Sequence, residues 1–246
     1  MTPTPAGQKL IDTFDHIVII NLAHRSDRRR EMAQQLARLG LSFNHPSVIR
    51  FDACSFAEPA DFPTTGTRGC FHSHLGVWRE AFARGDQSTL LIEDDLDFAP
   101  DIENTLPAAL DALAHQDWSH FYGAVLEWHP AVLPSSPLGR AEASEPILGG
   151  HFIAMRGKAI AQIVAYLEAI LTRPAGSPDG GPMHVDGAYG WFRRANSTDP
   201  TFVANPDLGF QRSSRTDIHV LRWPDRLPVI REMTAIARRM KRTLTS

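Results

Sequence analysis

Three acids in a row, Glu93-Asp94-Asp95, follow the apolar run Leu90-Leu91-Ile92, and Asp97 adds a further carboxylate two residues on. Like charges packed at the end of a strand, where water is scarce, repel one another and hold onto protons unless positive charge sits among them. An all-oxygen donor set of this kind suits a hard divalent cation, Mn²⁺ or Mg²⁺. If the strand pleat persists, Glu93 and Asp94 point to opposite sides, so one of them joins Asp95 directly, and alternation favours Glu93. A solvated acidic turn after a buried strand is the plainer alternative, and the surrounding elements must decide.

Ile17-Val18-Ile19-Ile20 is a continuous apolar run, the pattern of a strand buried on both faces. A helix is predicted from about Ser26 or Asp27, either a plausible N-cap, with Met32, Leu36 and Leu39 on one face and Gly40 as its stop. Val48 to Phe51 reads as a short strand, and the next helix turns Leu75, Trp78 and Phe82 toward the core before Gly85 closes it. The acidic strand comes next. After Pro100, a helix with Leu106, Leu110 and Leu113 leads to a strand through Phe121 and Tyr122. Strands alternating with helices predict an α/β fold with a mostly parallel sheet, and the acids then fall on the edge where open α/β sheets bind ligands.

From Glu127 to Gly149 the periodicity is lost, as in a long surface loop bordering a site. A strand Phe152 to Met155 and a helix with Ile160, Val164, Leu167 and Leu171 follow, then a Gly- and Pro-rich stretch, Pro174 to Pro182, expected to be mobile. Residues 1–15 read as a flexible polar segment without a signal pattern, 16–223 as the body, and 224–246 as a basic amphipathic C-terminal helix.

The chain has 246 residues, 43% hydrophobic and 22% charged, ordinary globular values that exclude a largely disordered chain. A net charge of -3 carries no overall footprint for nucleic acid. Cys54 and Cys70 lack the paired spacing of a structural zinc site, so reduced thiols and a cytoplasmic location are expected. No apolar run is long enough to span a bilayer.

Arg25 and Arg28 lie where the first strand hands over to its helix, a position at which guanidinium forks and free backbone N–H groups favour phosphate; a solvated basic helix start is the alternative. Gly69 to His74 reads as a tight turn with Ser73 as N-cap, or as a site in which His74 and Ser73 donate near an anion. Cys70 reads as a buried small apolar residue.

Taken in order, Ile19-Ile20-Asn21-Leu22 with Arg25 and Arg28, Gly69-Cys70-Phe71-His72-Ser73-His74 with Trp78, Glu93-Asp94-Asp95, Val185-Asp186-Gly187 and Gln211-Arg212-Ser213-Ser214-Arg215-Thr216-Asp217-Ile218 resemble glycosyltransferase family 25 over about residues 16–218. The chain departs from the family at Ala23, where an acid is general, and at Thr67-Arg68, where a Glu-Ile pair is frequent.

The resemblance implies a GT-A-like (Rossmann-like) fold and transfer of a sugar, usually galactose, from a UDP-sugar to a glycan or lipid-linked saccharide with inversion. The bacterial context is lipopolysaccharide or lipooligosaccharide biosynthesis. It implies a metal held at Glu93, Asp94 and Asp95, and donor binding by Asn21, Arg25, Arg28, His74 and Gln211. Asp186 is implied as the base, since inverting transfer needs a group to take the acceptor hydroxyl's proton; an Asp before Gly is otherwise a turn residue.

Beyond Pro228, Ile230, Met233, Ala237, Met240 and Leu244 share a helical face, with Arg231, Arg238, Arg239, Lys241 and Arg242 supplying positive charge. Such a helix suits an anionic membrane surface, peripheral on the cytoplasmic face of the inner membrane, or packs on its own domain. Two alternatives remain at this stage. His184, Asp186 and His219, with Arg222 or Arg226, mimic an Fe(II)/2-oxoglutarate oxygenase on an all-β double-stranded helix. A non-catalytic glycan- or nucleotide-binding module of the same fold is the other.

Overall fold

The computed structural model describes residues 2–130 and 134–212. The expected basic helix over 224–246, the motif residues 213–218, and His219, Arg222 and Arg226 lie outside the described residues.

Along the chain, α1 (Pro5–Thr13) leads to β1 (His16–Asn21), α2 (Ser26–Arg38), β2 (Val48–Asp52), α3 (Thr65–Arg84), β3 (Ser88–Glu93) and β4 (Leu96–Phe98). Then come α4 (Ile102–Ala114), β5 (His120–Tyr122), β6 (Glu127–Trp128), β7 (Leu138–Ala141), β8 (Ile147–Leu148) and β9 (Phe152–Arg156). The described part ends with α5 (Lys158–Leu171), α6 (Val185–Ala195), β10 (Thr201–Ala204) and β11 (Gly209–Gln211).

Seven strands form one sheet in the order β2-β1-β3-β9-β5-β10-β7. β1 runs parallel to β2 and β3, and β10 parallel to β5. β9 lies antiparallel between β3 and β5, and β7 closes one edge antiparallel to β10. All the other strands of the sheet therefore share one direction, the mostly parallel α/β arrangement expected. It also contradicts the all-β double-stranded helix that the oxygenase alternative requires.

Strand alternation sorts the core onto two faces. Ile17, Ile19, Leu90 and Ile92 pack with residues of α1, α2 and α4, while Val18, Ile20 and Leu91 pack with residues of α3, α5 and α6. The same alternation runs on past Ile92. Glu93 emerges toward α3, where it meets His74, and the turn after it swings Asp94 toward Arg28 of α2.

Several sequence expectations are corrected. Residues 5–13 are a docked helix rather than part of a flexible segment: the Thr4 hydroxyl accepts from the Gly7 N–H at 3.1 Å, and Ala6, Leu10 and Phe14, spaced at i, i+4 and i+8, are buried. The polar Pro/Thr composition masked that stripe. The N-cap of α2 is Arg25 rather than Ser26 or Asp27. The interval from Glu127 to Gly149 contains β6, β7 and β8, strands of two to four residues, too short for a period to show.

Helix α3 begins well before Gly69, capped by the Thr64 hydroxyl on the Thr67 N–H at 3.0 Å. Ser73 is therefore mid-helix, not a cap; its hydroxyl donates to Gly69 O at 2.7 Å and accepts from the Cys54 N–H at 2.8 Å. Gly69 allows that approach, since a Cβ there would fall 2.6 Å from Cys54 O. Leu75 and Trp78 are buried as expected, but Phe82 is 58% exposed because the buried stripe steps from Trp78 to Ala81.

Leu10→Ala is expected to lower stability by about 2–5 kcal/mol in urea unfolding, the range for emptying a buried leucine site. A change within about 0.5 kcal/mol, the size of ordinary surface effects, would show that α1 is not docked.

Candidate active site

The carboxyl ends of β1, β2 and β3 open into a cleft of about 220 Å³ whose lining includes Ile20, Arg28, Phe56, Cys70, His74 and Glu93. Each wall comes from a different element. Arg28 belongs to the first turn of α2, Phe56 to the segment after β2, Cys70 and His74 to the first half of α3, and Glu93 to the last position of β3.

The demand for positive charge among the acids is met first by the protein itself. Arg28 Nη1 lies 2.9 Å from Asp94 Oδ1 and 3.2 Å from Asp95 Oδ2, with all three side chains at most 10% exposed. Asn21 Nδ2 donates to Asp94 Oδ2 at 2.6 Å, so both oxygens of Asp94 are engaged. Gln211 Nε2 donates to Asp95 Oδ1 at 3.3 Å. Arg212 straps the turn from outside: its backbone N–H donates to Asp95 O at 2.7 Å, its Nε to Asp97 Oδ1 at 2.9 Å, and its guanidinium pairs with Glu31.

One guanidinium does not neutralise this group. Burial pushes the Glu93 carboxyl up to about 8, and Asp186 and Asp94 push in the same direction. Asp95 rises to about 7, again chiefly through burial and then through Glu93, with Arg28 opposing. Glu93 and Asp95 thus favour the protonated form, and their oxygens are of the type a hard divalent ion takes in a proton's place; Asp94 is bound more closely, at 2.6 Å by Asn21 and 2.9 Å by Arg28.

His74 is fully buried, and burial brings its imidazole down to about 4. Its Nε2 sits 3.1 Å from Glu93 Oε1 and its Nδ1 2.8 Å from Tyr189 Oη, which also accepts from Trp78 Nε1 at 2.8 Å. Asp186 lies in the first turn of α6, where helix dipoles favour an acid, and its Oδ2 accepts from the Gly149 N–H at 3.2 Å. Asp186 and His74 converge on Gly150: a Cβ there would stand 3.1 Å from Asp186 Oδ1 and 3.3 Å from His74 Cε1.

The structure therefore gathers Glu93, Asp94, Asp95, Arg28, His74, Asp186, Asn21 and Gln211 around one sheet edge. Asn21 and Gln211 reach the acids rather than the cleft. Arg25 does not line the cleft; its guanidinium forks onto Asp27, with Nε 3.0 Å and Nη2 2.9 Å from the carboxylate. Cys70, expected as a plain apolar residue, lines the cleft. Tyr189 and the cleft residue His24 carry no motif in the sequence, and Arg212 appears there only as part of the Gln211 to Ile218 motif, without a role. A signal existed for Cys70 and Tyr189, which share a helix face with His74 at i, i+4 and with Asp186 at i, i+3.

Fold and site define an α/β protein with an acid-rich cleft at the carboxyl edge of its sheet. Residues 61–128 match the family described as "Glycosyltransferase family 25 (LPS biosynthesis protein)", a span holding Gly69 to His74, Trp78 and Glu93-Asp94-Asp95. The resemblance carried by those motifs is thus a match to that family over residues 61–128.

Similar curated proteins include procollagen galactosyltransferase 1 of Danio rerio, 31% identical over 44% of this chain and 21% of that protein. Procollagen galactosyltransferase 2 of Homo sapiens is 31% identical over 44% and 20%. The inactive glycosyltransferase 25 family member 3 of Homo sapiens is 30% identical over 40% and 19%. The chain spans about a fifth of the length of these relatives. A solved glycosyltransferase involved in glycosylation of the PBCV-1 major capsid matches 78% of this chain and 94% of its own, at 12% identity and a TM-score of 0.39. Among the described residues, no helix is long and apolar enough to cross a membrane.

Glu93 holds its proton up to about 8 in the folded chain, against an ordinary 4.5. Between those values the folded state keeps a proton that the unfolded chain has lost, so this group makes stability fall as pH rises from about 5 to 8. Glu93→Gln removes that slope. In chelator-containing buffer, urea unfolding at the two pH values should show the variant gaining about 1–3 kcal/mol on the native chain across the interval. Parallel profiles would mean that Glu93 is ordinarily solvated.

Proposed function

We propose that this chain is a UDP-sugar-dependent, GT-A-like glycosyltransferase that moves a hexose, galactose first among the candidates, onto a glycan or lipid-linked saccharide with inversion. The observation that carries the reading is that Arg28, His74 and Glu93 line one sheet-edge cleft, with Asp95 against Arg28 and Asp186 beside His74 at Gly150, in a chain whose residues 61–128 match family 25. The galactosyltransferase names among the relatives support galactose, and the family description supports a lipopolysaccharide or other surface-glycan context.

The cleft volume of about 220 Å³ is below the roughly 300–1,000 Å³ of sites that enclose a drug-sized ligand. A nucleotide sugar would thus be partly held there and would extend past Glu93 toward Asp95 and Asp186. Arg28 and the amino-terminal half of α3 suit the diphosphate. Asn21 and Gln211 act by fixing Asp94 and Asp95. Held by Glu93 and Asp95, Mn²⁺ or Mg²⁺ would supply neutralisation of the charge that develops on UDP.

In transfer, the Asp186 carboxylate takes the acceptor hydroxyl's proton while that oxygen bonds to the anomeric carbon. The bond from that carbon to the phosphate oxygen breaks, and its electron pair leaves with UDP. Backbone donation from Gly149 and the position at the start of α6 orient Asp186 for this step.

The reading extends to the cytoplasmic face of the inner membrane, where the basic, amphipathic pattern beyond Pro228 suits anionic lipid. Sedimentation with anionic vesicles that survives deletion of that segment would remove this part alone.

UDP release measured across UDP-galactose, UDP-glucose and their N-acetyl forms, with Mn²⁺ present or chelated, tests the main reading. Turnover is expected only with metal. Asp186→Asn should lower transfer by about 10²–10⁴-fold with UDP binding retained, and Asp95→Ala should abolish the Mn²⁺ response. UDP binding without turnover on any donor would instead support a non-catalytic binding module, the reading favoured by the similarity to the inactive human family member.

A further inference from the structure

Cys70 and His74 stand one helical turn apart on α3, and with Glu93 at the end of β3 they bring a sulfur, a nitrogen and an oxygen within 4.8 Å of one another. All three line the cleft. We propose that Cys70, His74 and Glu93 form a site for a borderline-soft divalent cation of the Zn²⁺ type, distinct in ligand chemistry from an all-oxygen pair at Glu93 and Asp95.

The donor set selects the ion. A thiolate and an imidazole favour Zn²⁺ over Mn²⁺ and Mg²⁺, which prefer carboxylate, carbonyl and water oxygens. The distances are near those of a tetrahedral centre. His74 Nε2 and Glu93 Oε1 are 3.1 Å apart, close to the separation of about 3.4 Å that bonds of roughly 2.0–2.1 Å to one tetrahedral ion give. The sulfur has only to close by about 1 Å, within the reach of Cys70 and Glu93 side-chain rotation.

The support behind the ligands is in place as well. A metal-bound histidine ordinarily has its other ring nitrogen held, which fixes the plane of the ring. Here Tyr189 Oη contacts Nδ1 at 2.8 Å, and Trp78 Nε1 in turn donates to that hydroxyl. Three protein ligands leave a fourth position facing the cleft. On binding, the Cys70 thiol and the Glu93 carboxyl each give up their proton to solvent and coordinate as thiolate and carboxylate, and His74 uses the lone pair of Nε2. Burial, with Glu93 and Asp186 nearby, holds the thiol well above its ordinary range, so an ion must displace the thiol proton, while the half-buried Cys70 still faces the cleft and stays open to slow alkylation.

An ion at this site takes Glu93 away from Asp95 and obstructs the cleft, so Zn²⁺ antagonises Mn²⁺-supported turnover; this consequence alone rests on the transferase reading.

The test titrates the metal-free full chain with Co²⁺, a spectroscopic stand-in for Zn²⁺. A near-ultraviolet thiolate-to-cobalt band is expected to saturate at one-to-one stoichiometry and to be displaced by Zn²⁺. It should vanish in Cys70→Ser and survive in Cys54→Ser, and His74→Gln should weaken Zn²⁺ binding at least about tenfold. On the native chain, Zn²⁺ should slow alkylation of Cys70 about tenfold or more without slowing that of Cys54, a measurement independent of whether variants fold. Absence of the band from the native chain, its persistence in Cys70→Ser, or unprotected Cys70 alkylation would each overturn the site. None of these readouts uses turnover, so the site and the transferase reading stand or fall separately.

Discussion

Arg28 carries its guanidinium between Asp94 and Asp95, and that buried contact is what makes the sheet edge a site rather than a repulsive cluster. Ions removed from water each lose several kcal/mol of hydration, and only close, hydrogen-bonded pairing offsets this. The geometry supplies it: one guanidinium nitrogen reaches both acids, and Asn21 occupies the remaining oxygen of Asp94. Removing one partner of such a pair typically costs about 3–5 kcal/mol, because the other charge is stranded. The same contact ties the start of α2 to the end of β3. Burial first, and then the charge that the single guanidinium of Arg28 leaves over, raises the proton affinity of Glu93 and Asp95.

The division of labour among the three acids follows from the pleat. Ile92 belongs to the face covered by α1, α2 and α4, so Glu93 must belong to the other, and there it finds His74 and, by charge, Asp186. This much was legible in the sequence, because Leu90-Leu91-Ile92 fixes a strand and alternation assigns its continuation. The order of strands and helices was equally legible from Ile17-Val18-Ile19-Ile20, from the Met32, Leu36, Leu39 stripe, and from Leu106, Leu110 and Leu113. Each is a long or strongly periodic signal.

What escaped the sequence depends on partners remote in the chain. Helix α1 is defined by its packing on α4, and its Pro/Thr-containing opening looks like a polar leader until that surface is known. The early start of α3 was hidden by Gly69, which reads as a turn but serves close approach to the segment after β2. Cys70 looked inert because nothing local reveals that a helical cysteine faces a strand-end acid. Arg25 and Arg28 are indistinguishable by type and neighbourhood, yet the helical phase sends one to Asp27 and the other to the buried acids.

Gln211 and Arg212 meet Asp95 and Asp97 across separations of 116 and 115 residues, and β11 pairs with β4 over a similar distance. During synthesis the acidic turn therefore leaves the ribosome long before the segment that straps it. A nascent chain truncated ahead of Gly209 can already form the β1–β3 ladder, since those contacts are nearer in sequence, but its acid turn remains unfastened. A ribosome stalled upstream therefore displays that ladder before Gln211 and Arg212 can reach Asp95 and Asp97.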